Sequence, residues 1–212
     1  MEVVIRLYFL ENRNILNNEL YITNYCHIKN NTIVVDGKEI TTKESSLSCV
    51  EFLKQVYKEH VNDYAKFFKM DTASKLSFIT AEFLYSQVNL SAIAKENMAI
   101  VLSNKSASLD TDRKHQETIN DKDAYYPSPA IFVYTLPNIG IGEISIRHQI
   151  LGENAFFVFD SFNAKTLSQY AESLLHAKKS TDILCGWVNV DQDEYEAFMY
   201  LVSQEGTYKH TE

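Results

Sequence analysis

The apolar positions of this chain change rhythm several times along its length. Val3, Val4, Ile5, Leu7, Tyr8, Phe9 and Leu10 form one run, interrupted by Arg6, that reads as a strand. Leu20–Ile28 alternates, with Leu20, Ile22 and Tyr25 on one side. Thr32–Val35 ends at Asp36-Gly37, a turn dipeptide that lets Lys38–Thr42 return as a hairpin arm. The rhythm then turns helical. Ser48 is placed to cap a helix reaching about His60, with Val50, Phe52, Leu53 and Val56 on one face. Asp71 or Thr72 caps a second helix, in which Leu76, Ile79, Phe83, Leu84 and Val88 recur at three- and four-residue steps.

The second half reads as alternating strands and helices. Met98–Leu102 is a short buried-type strand. Residues 103–127 are polar and mixed, a long loop with a helical turn around Asp112–Ile119, punctuated by Pro127 and Pro129. Asn138–Ile150 predicts a helix with close backbone contacts at Gly140 and Gly142, ended by Gly152. Ala155–Phe159 is wholly apolar, the mark of a strand buried on both faces. Asp160–Lys179 predicts a helix with Leu167, Tyr170, Ala171, Leu174 and Leu175 on one face. Ile183–Val188 is another buried strand, Tyr195–Val202 a strand or a helix, and residues 206–212 a polar tail. From residue 98 onward this order is that of an α/β layered arrangement with partly parallel strands. No repeat or low-complexity linker divides the chain, so 1–212 is read as one domain.

Composition narrows the function classes. The net charge is −8 and no Lys/Arg block occurs, which argues against nucleic acid and anionic membrane surfaces as partners. Cys26, Cys49 and Cys185 lie far apart with no CxxC or Cys/His cluster, so reduced, buried thiols are expected rather than disulfides or a metal site. No cofactor motif appears. Neither a signal peptide nor a membrane-spanning run is visible, and a cytoplasmic protein is the expectation.

One stretch carries more. Tyr126–Gly186 holds Ser128-Pro129, Phe132-Val133, Asn138, Gly142, Leu151-Gly152, the apolar strand Phe156–Phe159 and Gly186. In order and spacing this resembles the core of the β-ketoacyl synthases, the condensing enzymes of fatty-acid and polyketide assembly. Asn138 precedes Ser161 by 23 residues and Gly186 follows it by 25, the intervals that flank the nucleophile in that family. Upstream, Lys69-Met70-Asp71 and Ser74-Lys75-Leu76 resemble the family's Met-Asp and helix start. The resemblance spans about residues 67–190. Residues 1–66 match poorly, and Ser103-Asn104-Lys105-Ser106 stands where the family has paired glycines. The implied fold is half of a thiolase-like α/β fold: a mixed, mostly parallel sheet with helices packed on it.

The departures bear on function. The resemblance places Ser161 at the position of the nucleophilic cysteine, with Asp160 before it. A serine hydroxyl is a far weaker nucleophile without a base, and Asp160 adds negative charge where positive potential activates a thiolate. The family's two histidines lie in a C-terminal half that this sequence does not extend into. The resemblance therefore implies a non-catalytic subunit, of the kind called a chain-length factor, paired with a full-length ketosynthase or with itself. Acyl carrier protein would then be met indirectly, through the partner. It also implies that a half-molecule keeps apolar surfaces in need of cover, the strand Ala155–Phe159 among them. Thr135, Leu136, Ile139, Phe157 and Phe159 are the candidates for an acyl tunnel or interface. Two alternatives stay open: a Ser161-dependent acyl transferase or thioesterase, and a homodimeric scaffold without an acyl ligand. Against the first, Phe159 and Asn163 stand where a hydrolase elbow needs small residues, and Ser161 or Asp160 is more simply a helix N-cap. Glu143 and Asp160 read as solvated carboxylates, Asp110-Thr111-Asp112 lacks calcium-loop spacing, His27 is a strand residue, His148 a surface or packed residue on its helix, and Trp187 a core residue.

Overall fold

The structure is a computed structural model and describes residues 20–90, 93, 95–123 and 126–210. The apolar run Val3–Leu10 lies outside them. The strands are β1 (Tyr21–Lys29), β2 (Thr32–Val35), β3 (Lys38–Thr42), β4 (Met98–Asn104), β5 (Asn154–Val158), β6 (Asp182–Asp191), β7 (Glu194–Ser203) and β8 (Tyr208–Lys209). The helices are α1 (Cys49–His60), α2 (Thr72–Tyr85), α3 (Leu109–Glu117), α4 (Pro129–Phe132), α5 (Ile139–His148) and α6 (Ala164–His176). One mixed sheet runs β3-β2-β1-β7-β6-β4-β5, with β8 on β1. Its parallel part is the block β5-β4-β6, and every other pairing is antiparallel. The hairpins β1-β2, β2-β3 and β6-β7 account for three of these, since short turns only join antiparallel strands.

Helices α1, α2 and α5 cover one face of the sheet and α6 covers part of the other. Strand β4 is buried on both faces: Met98, Ile100 and Leu102 point into the first core, Ala99 and Val101 into the second. A bulge between Ile22 and Asn24 shifts the phase of β1. It puts Tyr25 on the α6 side with Leu20 and Ile22, while Cys26 and Ile28 face the other core. All three cysteines are free and buried, and desolvation pushes the Cys49 and Cys185 thiols up to about 12.

Local chemistry sets the helix starts. Ser48 and Glu51 form a reciprocal capping box on α1. Asp71 caps α2 through the Ser74 amide. Twelve of the fourteen α2 residues are buried, as befits a helix packed nearly all round. The Ser77 and Thr80 hydroxyls there bond back to Ala73 and Leu76 carbonyls. Helix α5 packs closely on α2 at Gly140, where a Cβ would sit 2.8 Å from Ser77 Oγ. The expected close contact at Gly142 is absent: nothing lies within 4 Å of its would-be Cβ. Helix α5 ends at Gln149, which takes the left-handed conformation, rather than running to Gly152.

Two further expectations change, and one left open is resolved. Residues 103–127 hold a full helix, α3, rather than one turn. Tyr195–Val202 resolves as strand β7, paired with β6 and β1. The apolar strand before the elbow is an edge strand: β5 pairs with β4 alone among the described residues, and Asn154 and Val158 are exposed.

Lys75 on α2 is a charge in the first core. It is 6% exposed, its ammonium donates to the Met70 carbonyl and lies 5.8 Å from the Phe67 ring. Burial lowers its pKa to about 8. Between that value and the unfolded-chain value the unfolded state binds more protons, so this residue makes stability rise with pH across the window from about 8 to 10.5. Lys75→Met should therefore stabilise the fold at pH 7 by up to ~3 kcal/mol, the gap closing above pH ~10.5. Urea unfolding at both pH values checks this.

Candidate functional site

Two features converge on the carboxyl end of β4. The first is the elbow between β5 and α6. The Phe159 amide donates to the Asn104 carbonyl at 2.9 Å, ending the β4-β5 ladder. Residues 160–163 then turn away, and α6 begins only at Ala164, capped by Asn163 through the Thr166 amide at 3.0 Å. Neither Ser161 nor Asp160 is the cap, contrary to the sequence expectation. Asp, Ser and Asn are nearly equivalent caps, and tertiary contacts make the choice. Phe162 turns back over the sheet, its ring 5.8 Å from Phe198 and 6.4 Å from Trp187, edge-on to both. Behind Phe198, Gly186 leaves room for its carbonyl, 2.6 Å from where a Cβ would lie.

Ser161 is consequently exposed and three residues ahead of the helix. With Lys105 and residues 158–165 it borders an open depression of about 670 Å³. Among the described residues nothing hydrogen-bonds its hydroxyl, and His148 and His27 are engaged elsewhere. His148 is packed rather than superficial, 2.8 Å from Glu82 and against the Tyr85 ring. His27 lies 2.9 Å from Glu196 on β7. The Thr166 amide, one of the helix-start donors that could lower the pKa of a nucleophile, is taken by the Asn163 side chain.

The second feature is a small cleft. Asp71, Asn104, Tyr134, Leu136, Phe156 and Val188 are among its walls, and its volume is about 20 Å³, room for about one water. Tyr134 is held there by its hydroxyl, which donates to Glu143 Oε1 at 2.9 Å, while Lys66 Nζ lies 2.8 Å from Oε2. Glu143 is thus a buried carboxylate, 4% exposed, and not the solvated residue expected. Burial and the bond to Glu143 raise the Tyr134 pKa well above its ordinary value.

The sequence candidates divide between these features. Leu136 lines the cleft and is 56% exposed. Thr135 anchors the same loop, its carbonyl accepting from Ser108 Oγ at 2.7 Å. Ile139 packs against the first core. Phe157 packs against the second core across the sheet, stacked with Phe159 at 5.6 Å and edge-on to Tyr170. The aromatic that reaches the cleft from β5 is Phe156. Strand parity separates it from Phe157, a distinction the unbroken apolar run conceals. Around Leu136, the side chains Leu109, Phe132 and Val133 are also exposed.

Helix α6 is buried on one side only. Leu167, Ala171, Leu174 and Leu175 face the sheet, while Lys165, Gln169, Glu172, Ser173 and His176 are exposed. The outer face of this helix is therefore polar. Among the described residues no cluster suited to a metal ion occurs, and no helix is long and apolar enough to cross a membrane.

No protein-family model and no curated protein matches the chain. Solved structures do. A chain of the ishigamide ketosynthase/chain length factor superposes with a TM-score of 0.60 at 16% identity, covering 87% of this chain and 62% of that one. A chain from a ketosynthase in complex with its chain length factor from Xenorhabdus doucetiae gives 0.55 at 16%, covering 89% and 80%. A chain from a type II polyketide acyl-carrier protein in complex with its ketosynthase bound to the hexaketide gives 0.57 at 12%, covering 87% and 62%. The fold is thus that of the ketosynthase and chain-length-factor assemblies, as the resemblance implied. The chain spans less than two thirds of two of these three relatives.

The elbow geometry predicts that Ser161→Cys yields an ordinary thiol, with a pKa of about 8.5. Iodoacetamide alkylation followed against pH measures it; a value near 6 would mean that the elbow still activates a nucleophile.

Proposed function

We propose that this chain is a non-catalytic subunit of the chain-length-factor type, which pairs with an active β-ketoacyl synthase of fatty-acid or polyketide assembly. The observation that carries this reading is the elbow. On a synthase-like fold, the position that the sequence resemblance aligns with the nucleophile is an exposed serine, beside Asp160, three residues ahead of the helix and, among the described residues, with no base hydrogen-bonded to it. Such a hydroxyl has nothing to raise its nucleophilicity.

The pairing surface is the β5 edge with the apolar side chains next to it. The Ile100 amide donates to the Glu153 carbonyl and the Phe159 amide to the Asn104 carbonyl. In this parallel register Ala155 and Phe157 bond to β4, and the amides and carbonyls of Asn154, Phe156 and Val158 point outward. Three alternate residues that pair with no strand among the described residues are a template for another strand. Val158, 54% exposed, extends that edge, and the exposed Leu109, Phe132, Val133 and Leu136 supply apolar area. The cleft is too small to contain an acyl chain. In this reading Tyr134, Leu136 and Phe156 form a wall that limits a tunnel belonging to the partner. Carrier protein would dock on that partner, since this chain is itself acidic.

Co-expression with a full-length ketosynthase from the same gene neighbourhood tests the reading. A one-to-one complex is expected, with no acyl adduct on this chain after incubation with an acyl thioester. Val158→Lys should weaken the complex by at least about tenfold, roughly 1.4 kcal/mol. An adduct abolished by Ser161→Ala would favour an acyl transferase or thioesterase instead. Self-association through the same edge, without synthase binding, would favour a scaffold.

A further inference from the structure

Helix α3 is held to the body in an unusual way. Of its nine residues only Thr111 is buried, and the rest are mostly charged or polar. A helix of that length is marginal by itself in water, and this one has no apolar stripe to bury. Its anchorage is polar. Thr111 Oγ1 donates to Asp71 Oδ2 at 2.8 Å. The other oxygen of the same carboxylate accepts the Ser74 amide at 2.9 Å and so caps α2. Because α2 is packed into the first core, Asp71 is a fixed post. A second tie to the sheet, Arg113 to Asp191 at 2.5 Å, joins two partly exposed side chains and holds little by itself.

Helix α3 in turn carries the apolar arm. Ser108 Oγ, at its start, donates to the Thr135 carbonyl at 2.7 Å. The His115 ring packs on Phe132, with 5.4 Å between centroids. Leu109 is exposed on the helix itself. We infer that the Asp71–Thr111 hydrogen bond is a clasp that presents Leu109, Phe132, Val133 and Leu136 in the orientation that a synthase subunit recognises. Thr111 and Asp71 are then positioning residues for partner selection, and this assignment rests on the pairing reading above. The physical basis is pre-organisation. A hydroxyl-to-carboxylate bond, here part-buried, is strong for its size, and an arm ordered in advance need not be ordered on binding.

The test uses Thr111→Val, which keeps shape and loses the donor, and Thr111→Ser, which keeps the donor. Asp71→Asn serves as a second variant, keeping an oxygen for the α2 cap while opposing Thr111 with an amide. Thr111→Val and Asp71→Asn should bind the full-length ketosynthase about tenfold more weakly, mainly through faster dissociation. Amide exchange should rise across residues 105–136 and stay unchanged in β4, β6 and β7. Thr111→Ser should restore both. Wild-type affinity in Thr111→Val would overturn the clasp. If the wild-type chain binds no synthase, the pairing reading falls; exchange over 105–136 that is the same in Thr111→Val as in wild type would then overturn the clasp as well.

Discussion

The carboxyl end of β4 is the constraint on which the rest of this molecule depends. Asn104 there bonds in three directions. Its carbonyl takes the Phe159 amide and ends the β5 ladder, while its side chain brackets Ala107 through both the amide and the carbonyl, at 2.9 and 2.8 Å. Ala107 is thereby held in the left-handed region at φ 47°, where a residue with a Cβ needs such support. One residue earlier, Ser103 Oγ donates to the Gly186 carbonyl, and Asn189 on β6 accepts the amides of both Lys105 and Ser106. The elbow, the cleft and the start of α3 are all suspended from this knot. Parallel strands put their carboxyl ends on one side, and that end of a sheet is where α/β folds place their sites.

Much of this was legible along the chain. The alternating strands, the Asp36-Gly37 turn, the Ser48 and Asp71 caps and the doubly buried β4 follow from local rules, and the structure repeats them. The misses share a cause: each was decided by what lay opposite. Phe156-Phe157-Val158 looks like a strand enclosed on both sides, but an apolar run cannot reveal that a sheet ends beside it. Helix α3 has almost no apolar period because polar ties, the Thr111 hydroxyl among them, hold it rather than an apolar stripe. The choice of Asn163 over Asp160 or Ser161 as cap follows Phe162, whose place on Phe198 and Trp187 depends on strands later in the sequence. Glu143 looks solvated until Tyr134 and Lys66 close over it.

The polar outer face of α6 bears on where, in the pairing reading, a partner would sit. Here that helix presents Lys165, Gln169, Glu172, Ser173 and His176 to water, an ordinary amphipathic arrangement. The unmet requirements are concentrated elsewhere, in the three outward residues of β5 and the exposed side chains on the α3–α4 arm. They differ in kind. Backbone amides on an open edge accept almost any strand, so a three-residue ladder gives adhesion with little discrimination. The side chains beside it discriminate through shape, and only if they are held still. In the pairing reading, a rigid edge flanked by an arm held through polar ties would separate the two tasks: β5, locked into the sheet, would set how a partner is gripped, and the arm on α3 which partner fits.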